Sequence, residues 1–346
     1  MRTLILATLL LGGCATKGSL SPQAAVAFDR DGERGTSAEG FADRSTQRRV
    51  TVDDPVRIAS VSKLVVAIGV LRLVEAGILD LDADVATGLG WPLRNPAFPD
   101  RPISLAMLLS HTAGLRDGID YALPLDVTLR SALADPKAWD AAHAPGEYFA
   151  YANLNFPVVA SVLERATGER FDRLMQRLVL APLHLDACFN WPTCSDAAVA
   201  RAVVLTGPDG AALRDDLHGA RPTCAVVAAA DGACDLARWR AGENGALFSP
   251  HGGLRISVRD LARIGRMLLR DGELDGVRIL ALASMAQLFT PRWNYAGANG
   301  DTQRGFFCRY GLAAQTLATS RDGCADDPAG DGVARVGHAG EAYGLR

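Results

Sequence analysis

Lysine is almost missing from this chain. Of 36 basic residues among 346, only Lys17, Lys63 and Lys137 are lysines, and the rest are arginines. The formal net charge is -3 and no block of basic residues occurs, which argues against nucleic acid as a partner. Cys-x-x-Cys and clustered histidines are missing too, so a metal centre is not expected, and nothing in the sequence asks for a cofactor. The acidic trio Asp80, Asp82 and Asp84 lacks the glycine and closing glutamate of a calcium loop and reads as a solvated turn. Gly-x-Ser-x-Gly is absent, which speaks against an α/β-hydrolase. There is no internal repeat and no low-complexity tract. The apolar run Leu4 to Leu11 is too short to span a bilayer as a helix.

What is present describes an ordinary globular chain, 49% hydrophobic and 22% charged, large enough for one large domain or two smaller ones. The first 13 residues read as an export leader, with a positive start at Met1-Arg2 and an apolar stretch behind it. The leader ends in Leu11-Gly12-Gly13-Cys14, which resembles a bacterial lipobox. A lipid on Cys14 and a tether over 14–22 would place the rest in the periplasm; an ordinary cleaved signal peptide is the alternative. Ala15 after the cysteine favours, by resemblance, an outer-membrane destination. Six cysteines remain beyond Cys14, and an exported chain with an even count suggests disulfides. Proximity favours Cys188 with Cys194, Cys224 with Cys234, and Cys308 with Cys324.

Short strands are expected over 24–28 and 37–43, separated by the turn 29–35. A helix over 59–76 is apolar on nearly every face and should be buried, with Gly77 ending it. Further helices are expected over 105–109 behind the cap Ser104, over 154–167 and 170–180, from Ser257 to about Leu269, and over 281–289. The stretch 189–248 looks irregular, a surface excursion. Strand character returns only over 333–340. The fold class that follows is mixed α/β (α+β), with one antiparallel sheet made from both chain ends (about 23–58 and 333–346), flanked by helices, and a mostly helical part over about 59–332.

The scarce lysine matters because Lys63 follows Ser60 by one helical turn, on the same face. Burial disfavours an ammonium, and a neutral amine can remove the proton that keeps serine a poor nucleophile. Arginine could not do this. Taken alone, the pair also fits a helix cap at Ser60 and a snorkelling side chain at Lys63; the later motifs favour catalysis. Two further short patterns follow in order: Tyr151-Ala152-Asn153, the one Tyr-x-Asn in the chain, and His338-Ala339-Gly340 on the last expected strand. Tyr151 could share or deliver the proton if neighbouring cations lower its pKa from near 10. Asn153 can brace Lys63 and bind a substrate amide, or merely close a turn. Gly340 would let a substrate backbone approach. His111 is read as a structural hydrogen-bonder, His143, His184 and His218 as surface or packing residues. His251-Gly252-Gly253 also fits the third pattern but precedes a helix, so it is set aside.

Taken together these patterns resemble the class C β-lactamase-like serine hydrolases, the penicillin-recognising superfamily of D,D-peptidases, D-aminopeptidases and family VIII esterases. The segment Arg57 to Lys63, the helix exit Leu73 to Asp82, Leu108 to Leu115 (Leu-Leu-Ser-His-Thr-Ala-Gly-Leu), Pro145-Gly146 before Tyr151, and Gly252-Gly253-Leu254 before Asp260-Leu261-Ala262 match as well. The resemblance implies a β-lactamase/transpeptidase-like fold, Ser60 as nucleophile, Lys63 as base, and the backbone N–H groups of Ser60 and Glu341 as oxyanion hole. His338 stands where dedicated β-lactamases carry lysine, which moves the expected substrates toward esters and D-amino-acid peptides and away from β-lactams. The family continues beyond this third motif through two strands and a helix, whereas six residues follow Gly340 here, so a fragment is one expectation. A catalytically weak or inactive penicillin- or peptidoglycan-binding lipoprotein is the alternative to an acyl-enzyme-forming hydrolase.

Overall fold

The computed structural model describes the backbone of residues 5–10 and the full residues 22–207, 209–213 and 215–342. The N-terminal sheet is antiparallel, in the order β1 (Ile5–Leu10), β2 (Gln23–Phe28), β3 (Glu33–Glu39). In β2, Ala24, Val26 and Phe28 alternate inward, the period of a half-buried strand. The expected turn is shorter than drawn from sequence, because β3 starts at Glu33 and a register shift at Ala27/Phe28 absorbs the offset. The strands β4 (Phe41–Asp43) and β5 (Arg48–Arg49) form a small hairpin.

A second sheet, in the order β6 (Val56–Arg57), β8 (Leu254–Ile256), β7 (Cys188–Phe189), leads through β6 into the Ser60-x-x-Lys63 segment. The 3-10 turn Ala59–Val61 follows β6 and runs into helix α1 (Ser62–Glu75), whose Lys63 to Leu71 are all buried. The strand β8 braces this corner: Ile58 N–H donates to Leu254 O (3.0 Å) and Leu254 N–H to Ser62 Oγ (3.1 Å). The short helices α2 (Val85–Leu89), α3 (Leu105–Leu109) and α4 (Leu129–Ala132) are capped by Asp84, Ser104 and Thr128. Asp84, of the acidic trio, is thus a capping residue and pairs with Arg94. Helix α5 (Asn155–Thr167) carries Pro157 in its opening turn and ends on the left-handed Gly168. The expected next helix divides into α6 (Phe171–Met175) and a π-helical turn, Gln176–Leu180. Beyond α7 (Asp196–Arg201) come α8 (Val258–Leu269), the hairpin β9 (Glu273–Leu274) with β10 (Val277–Arg278), and α9 (Leu282–Phe289). Helix α8 lies on β2 closely enough that a Cβ on Gly265 would come within 2.3 Å of the Phe28 ring.

Two expectations change. The stretch 189–248 is irregular, yet it is no mere surface excursion. Val203, Leu205, Val226, Leu247 and Phe248 are buried in the main core, and Asp216 forms a buried ion pair with Arg255 of β8 (2.7 Å). The fold is a mixture of helices and antiparallel sheet as expected, but the two chain ends do not share a sheet among the described residues. The last strand, β14 (Arg335–Gly337), closes a separate sheet, β11 (Trp293–Asn294), β12 (Arg309–Tyr310), β13 (Gln315–Leu317), β14. Both edges of β2 are already occupied, by β3 and by β1. The segment assigned from sequence to a leader therefore fills the edge that the closing strand would need. The chain after β14 nonetheless returns to the Ser60 turn, because a Cβ on Gly340 would lie 2.5 Å from Ile58 O. Cys14 lies outside the described residues.

The three disulfides pair as proximity suggested: Cys188 with Cys194, Cys224 with Cys234 and Cys308 with Cys324, at Cα separations of 4.9, 5.5 and 6.0 Å.

Candidate active site

Ser60 sits in the 3-10 turn at the head of α1, partly exposed, where the helix dipole favours developing negative charge. The residue before it, Ala59, has φ +48°, a left-handed conformation uncommon for a side chain with Cβ. Lys63 is fully buried one turn later. Its Nζ lies 2.8 Å from Ser60 Oγ, 2.9 Å from Asn153 Oδ1 and 2.7 Å from His251 O. A neutral amine has two N–H bonds and one lone pair. Two of these partners, Asn153 Oδ1 and His251 O, can only accept, so the lone pair is left facing the serine hydroxyl. Burial lowers the Lys63 pKa from 10.5 to about 7, against the opposing pull of Asp117.

Tyr151 is held as a slab. His111 stacks on one side (4.3 Å between centroids) and Phe307 is stacked at 5.0 Å. Lys63 Nζ lies 5.1 Å from the centre of the ring. The expectation that cations lower its pKa is corrected. Burial raises it above 10, and the Ser60 hydrogen bond only partly offsets that. Tyr151 is therefore a protonated phenol at neutral pH and can donate but not act as a phenolate base. His111 is the structural hydrogen-bonder expected: its Nδ1 accepts from Ala152 N–H (3.2 Å) and Asn155 Nδ2 (3.1 Å). Burial, reinforced by Lys63, holds it neutral.

Asn153 braces Lys63, as the sequence suggested. The orientation of its amide is set by Asp117, which the sequence reading missed. Asp117 Oδ2 accepts from both Asn153 N–H (2.9 Å) and Asn153 Nδ2 (2.9 Å), and Oδ1 accepts from Leu154 N–H (3.0 Å). With its nitrogen fixed on a carboxylate, the amide must turn its oxygen to Lys63. The only signal for Asp117 was its place just after the Ser-His-Thr-Ala-Gly-Leu run. His251 was also set aside, yet its carbonyl is a ligand of Lys63, while its ring packs edge-on to Tyr121 (4.7 Å).

The third motif forms the facing wall. His338 Nε2 accepts from Tyr310 OH (2.7 Å) and its Nδ1–H donates to Ala339 O (2.5 Å). Burial, with Lys63 nearby, drives its pKa from 6.5 down to about 3. His338 is therefore a neutral imidazole at neutral pH. Gly340 packs on the Ser60 turn, which brings the Glu341 backbone beside that corner. The structure thus gathers Ser60, Lys63, Tyr151, Asn153 and His338 into one cleft. No group of three or more metal-ligating side chains occurs among the described residues. The remaining histidines stand apart: His143 pairs with Asp140 and His218 with Asp43.

A buried amine aimed at a serine, backed by a tyrosine and an asparagine, on a mixed helix-and-antiparallel-sheet scaffold, defines the penicillin-binding class of folds. The chain belongs to the Beta-lactamase family, whose model matches residues 17–345. It is 36% identical over 172 residues to Esterase EstB of Burkholderia gladioli, covering 44% of this chain and 42% of that protein. It is 28% identical over 267 residues to Penicillin-binding protein 4 of Amycolatopsis lactamdurans, covering 77% and 64%. The chain thus spans less than two thirds of the length of either relative. Among solved structures, EstCE1, a hydrolase with promiscuous acyltransferase activity, superposes with a TM-score of 0.64 at 23% identity, over 89% of this chain and 80% of that one. The octameric penicillin-binding protein homologue from Pyrococcus abyssi gives 0.64 at 20% identity, over 92% and 63%. At these identities the two structures speak for the fold alone.

Proposed function

We propose that this chain is a serine hydrolase that works through an acyl-enzyme on Ser60. The observation that carries the reading is the Lys63 amine, buried, with its pKa brought down to about 7 and its Nζ 2.8 Å from Ser60 Oγ. Ser60 Oγ attacks the acyl carbon while its proton passes to Lys63 Nζ. The charge that develops on the carbonyl oxygen is met by the N–H groups of Ser60 and Glu341; one such donor is commonly worth ~10²–10³ in rate. Lys63 returns the proton through the Tyr151 phenol to the leaving group, which departs as the acyl-enzyme forms. Water then repeats the sequence in reverse roles and frees the acid. A neutral His338 offers no cation to a substrate carboxylate, which favours esters over β-lactams and over peptides with a free C-terminus. The named activities of the esterase and penicillin-binding relatives lie within this chemistry.

We expect a fluorophosphonate probe to label the wild type and not Ser60→Ala; labelling of that variant would remove the assignment. Steady turnover of p-nitrophenyl esters or nitrocefin separates a hydrolase from a binding protein that only retains ligand. Export and lipidation at Cys14 belong to the same proposal. They rest on the leader-like start, the cysteine that follows it and the three disulfides. Metabolic labelling with an alkyne fatty acid should be lost in Cys14→Ala, and retention of the label would contradict it.

A further inference from the structure

The cleft is short of positive charge. Lys63 spends all of its contacts on Ser60, Asn153 and His251. Both His338 nitrogens are taken, by Tyr310 and Ala339, so neither is left to bind a carboxylate. The nearby guanidinium groups are turned to other work: Arg57 is paired with Asp215, Arg255 with Asp215 and Asp216, and Arg116 with Asp140.

Against this stands an acidic side chain bonded into the site. Asp117 is exposed to solvent, yet it is hydrogen-bonded to the asparagine that touches Lys63. From Ser60 Oγ to Lys63 Nζ is 2.8 Å, from Lys63 to Asn153 2.9 Å, and from Asn153 to Asp117 2.9 Å. A carboxylate offers about four lone-pair directions. Two on Oδ2 and one on Oδ1 are used, which leaves Oδ1 able to accept one more donor. Hydrogen bonds from an ammonium to a carboxylate are roughly twice as strong as neutral ones. An ammonium on an acyl donor seated at Ser60 would find in Asp117 a carboxylate bonded to the Lys63–Asn153 pair, and a carboxylate on that donor would meet like charge.

We propose that the cleft selects acyl donors carrying an ammonium group close to the scissile carbonyl, held by Asp117, and rejects donors carrying a carboxylate at that place. This assigns a substrate class to the Ser60 site and so rests on the hydrolase reading above.

The test uses three p-nitrophenyl esters: the β-alanine ester (cationic) and the butyrate ester (neutral), which are matched in size, and the hemisuccinate ester (anionic), which is two heavy atoms larger, each corrected for uncatalysed hydrolysis. We expect kcat/KM for the β-alanine ester to exceed that for butyrate by about tenfold or more, and the hemisuccinate ester to fall below butyrate by a similar factor. In Asp117→Asn all three rates should fall, because Asn153 loses the carboxylate that orients it. The cation-to-neutral ratio should collapse toward one, because the ratio cancels any general loss from a displaced Asn153. In His338→Lys the hemisuccinate ester should gain on butyrate. A flat charge series in a wild type that hydrolyses butyrate, with that hydrolysis lost in Ser60→Ala, overturns the charge selection alone. A cation preference that survives unchanged in Asp117→Asn overturns the role of Asp117. No turnover of any of the three overturns the hydrolase reading and this inference with it.

Discussion

Lys63 is the residue on which the proposed chemistry turns, and its burial has a cost that can be measured. The folded protein holds it with a pKa of about 7, whereas the unfolded chain binds that proton up to about 10.5. Between those values the unfolded state carries more protons, so stability rises with pH across the window, and below about pH 7 the penalty is present in full. Lys63→Met removes the titration. It should be inactive and as stable as the wild type or more so at pH 6, with the gap narrowing by roughly a few kcal/mol toward pH 10. Denaturant titrations at the two pH values check this; a gap that does not change with pH contradicts it. Lys63→Arg should be inactive, since a guanidinium cannot accept the serine proton, and ester turnover near the wild-type rate would refute the base role. The Ser60–Lys63 pair was legible because helical spacing alone puts the two on one face, and lysine is scarce enough here to be noticed. Asp117 was not legible, because nothing local says that a carboxylate 36 residues away folds onto Asn153. Nor could spacing say that Tyr151 would be stacked between two rings and desolvated there, so that its pKa is raised.

At the scale of elements, the helices were readable and the sheets were less so. Capping serines, the left-handed Gly168 and the apolar run of α1 each leave a local mark. The strands β11 to β14 are two or three residues long, too short to show a two-residue alternation. Their sheet carries Tyr310 and leads into His338, and the Cys308–Cys324 disulfide ties β12 to the segment ahead of β14. Replacing both cysteines by serine should cost about 2–5 kcal/mol of stability and lower kcat/KM, since Phe307 and Tyr310 flank that bond and set the Tyr151 and His338 rings. Replacing Cys224 and Cys234 should cost stability with little effect on kcat/KM. Equal kinetic effects from the two pairs would show that the disulfide does not position the wall.

For the whole molecule, buried titratable groups set the pH range. His111, His251 and His338 are all held neutral, with burial the first cause in each. The unfolded chain protonates them below about pH 6.5 and the folded chain does not, so stability falls as pH drops through that point. Glu164 works the other way. Buried beneath Phe171, Trp239 and Gly242, its carboxyl is pushed up to about 7, so the folded state binds its proton first, and stability is lost as pH rises from about 4.5 to about 7. Three histidines outweigh one glutamate, and a net loss of stability is expected from pH 6.5 toward 4.5. In Glu164→Gln the opposing contribution is gone, so the variant should lose stability over that interval more steeply than the wild type. Denaturant midpoints at a series of pH values decide it, and parallel curves would contradict the buried-carboxyl account.

The most direct measurement of the central claim is the rate at which an acyl group appears on Ser60, followed by intact mass and peptide mapping as a function of pH. A serine activated by an uncharged Lys63 predicts one acyl adduct on Ser60, formed at a rate that climbs to a plateau with a midpoint near pH 7 and absent from Ser60→Ala. An adduct elsewhere, or an acylation rate unchanged between pH 5.5 and 8.5, would contradict it.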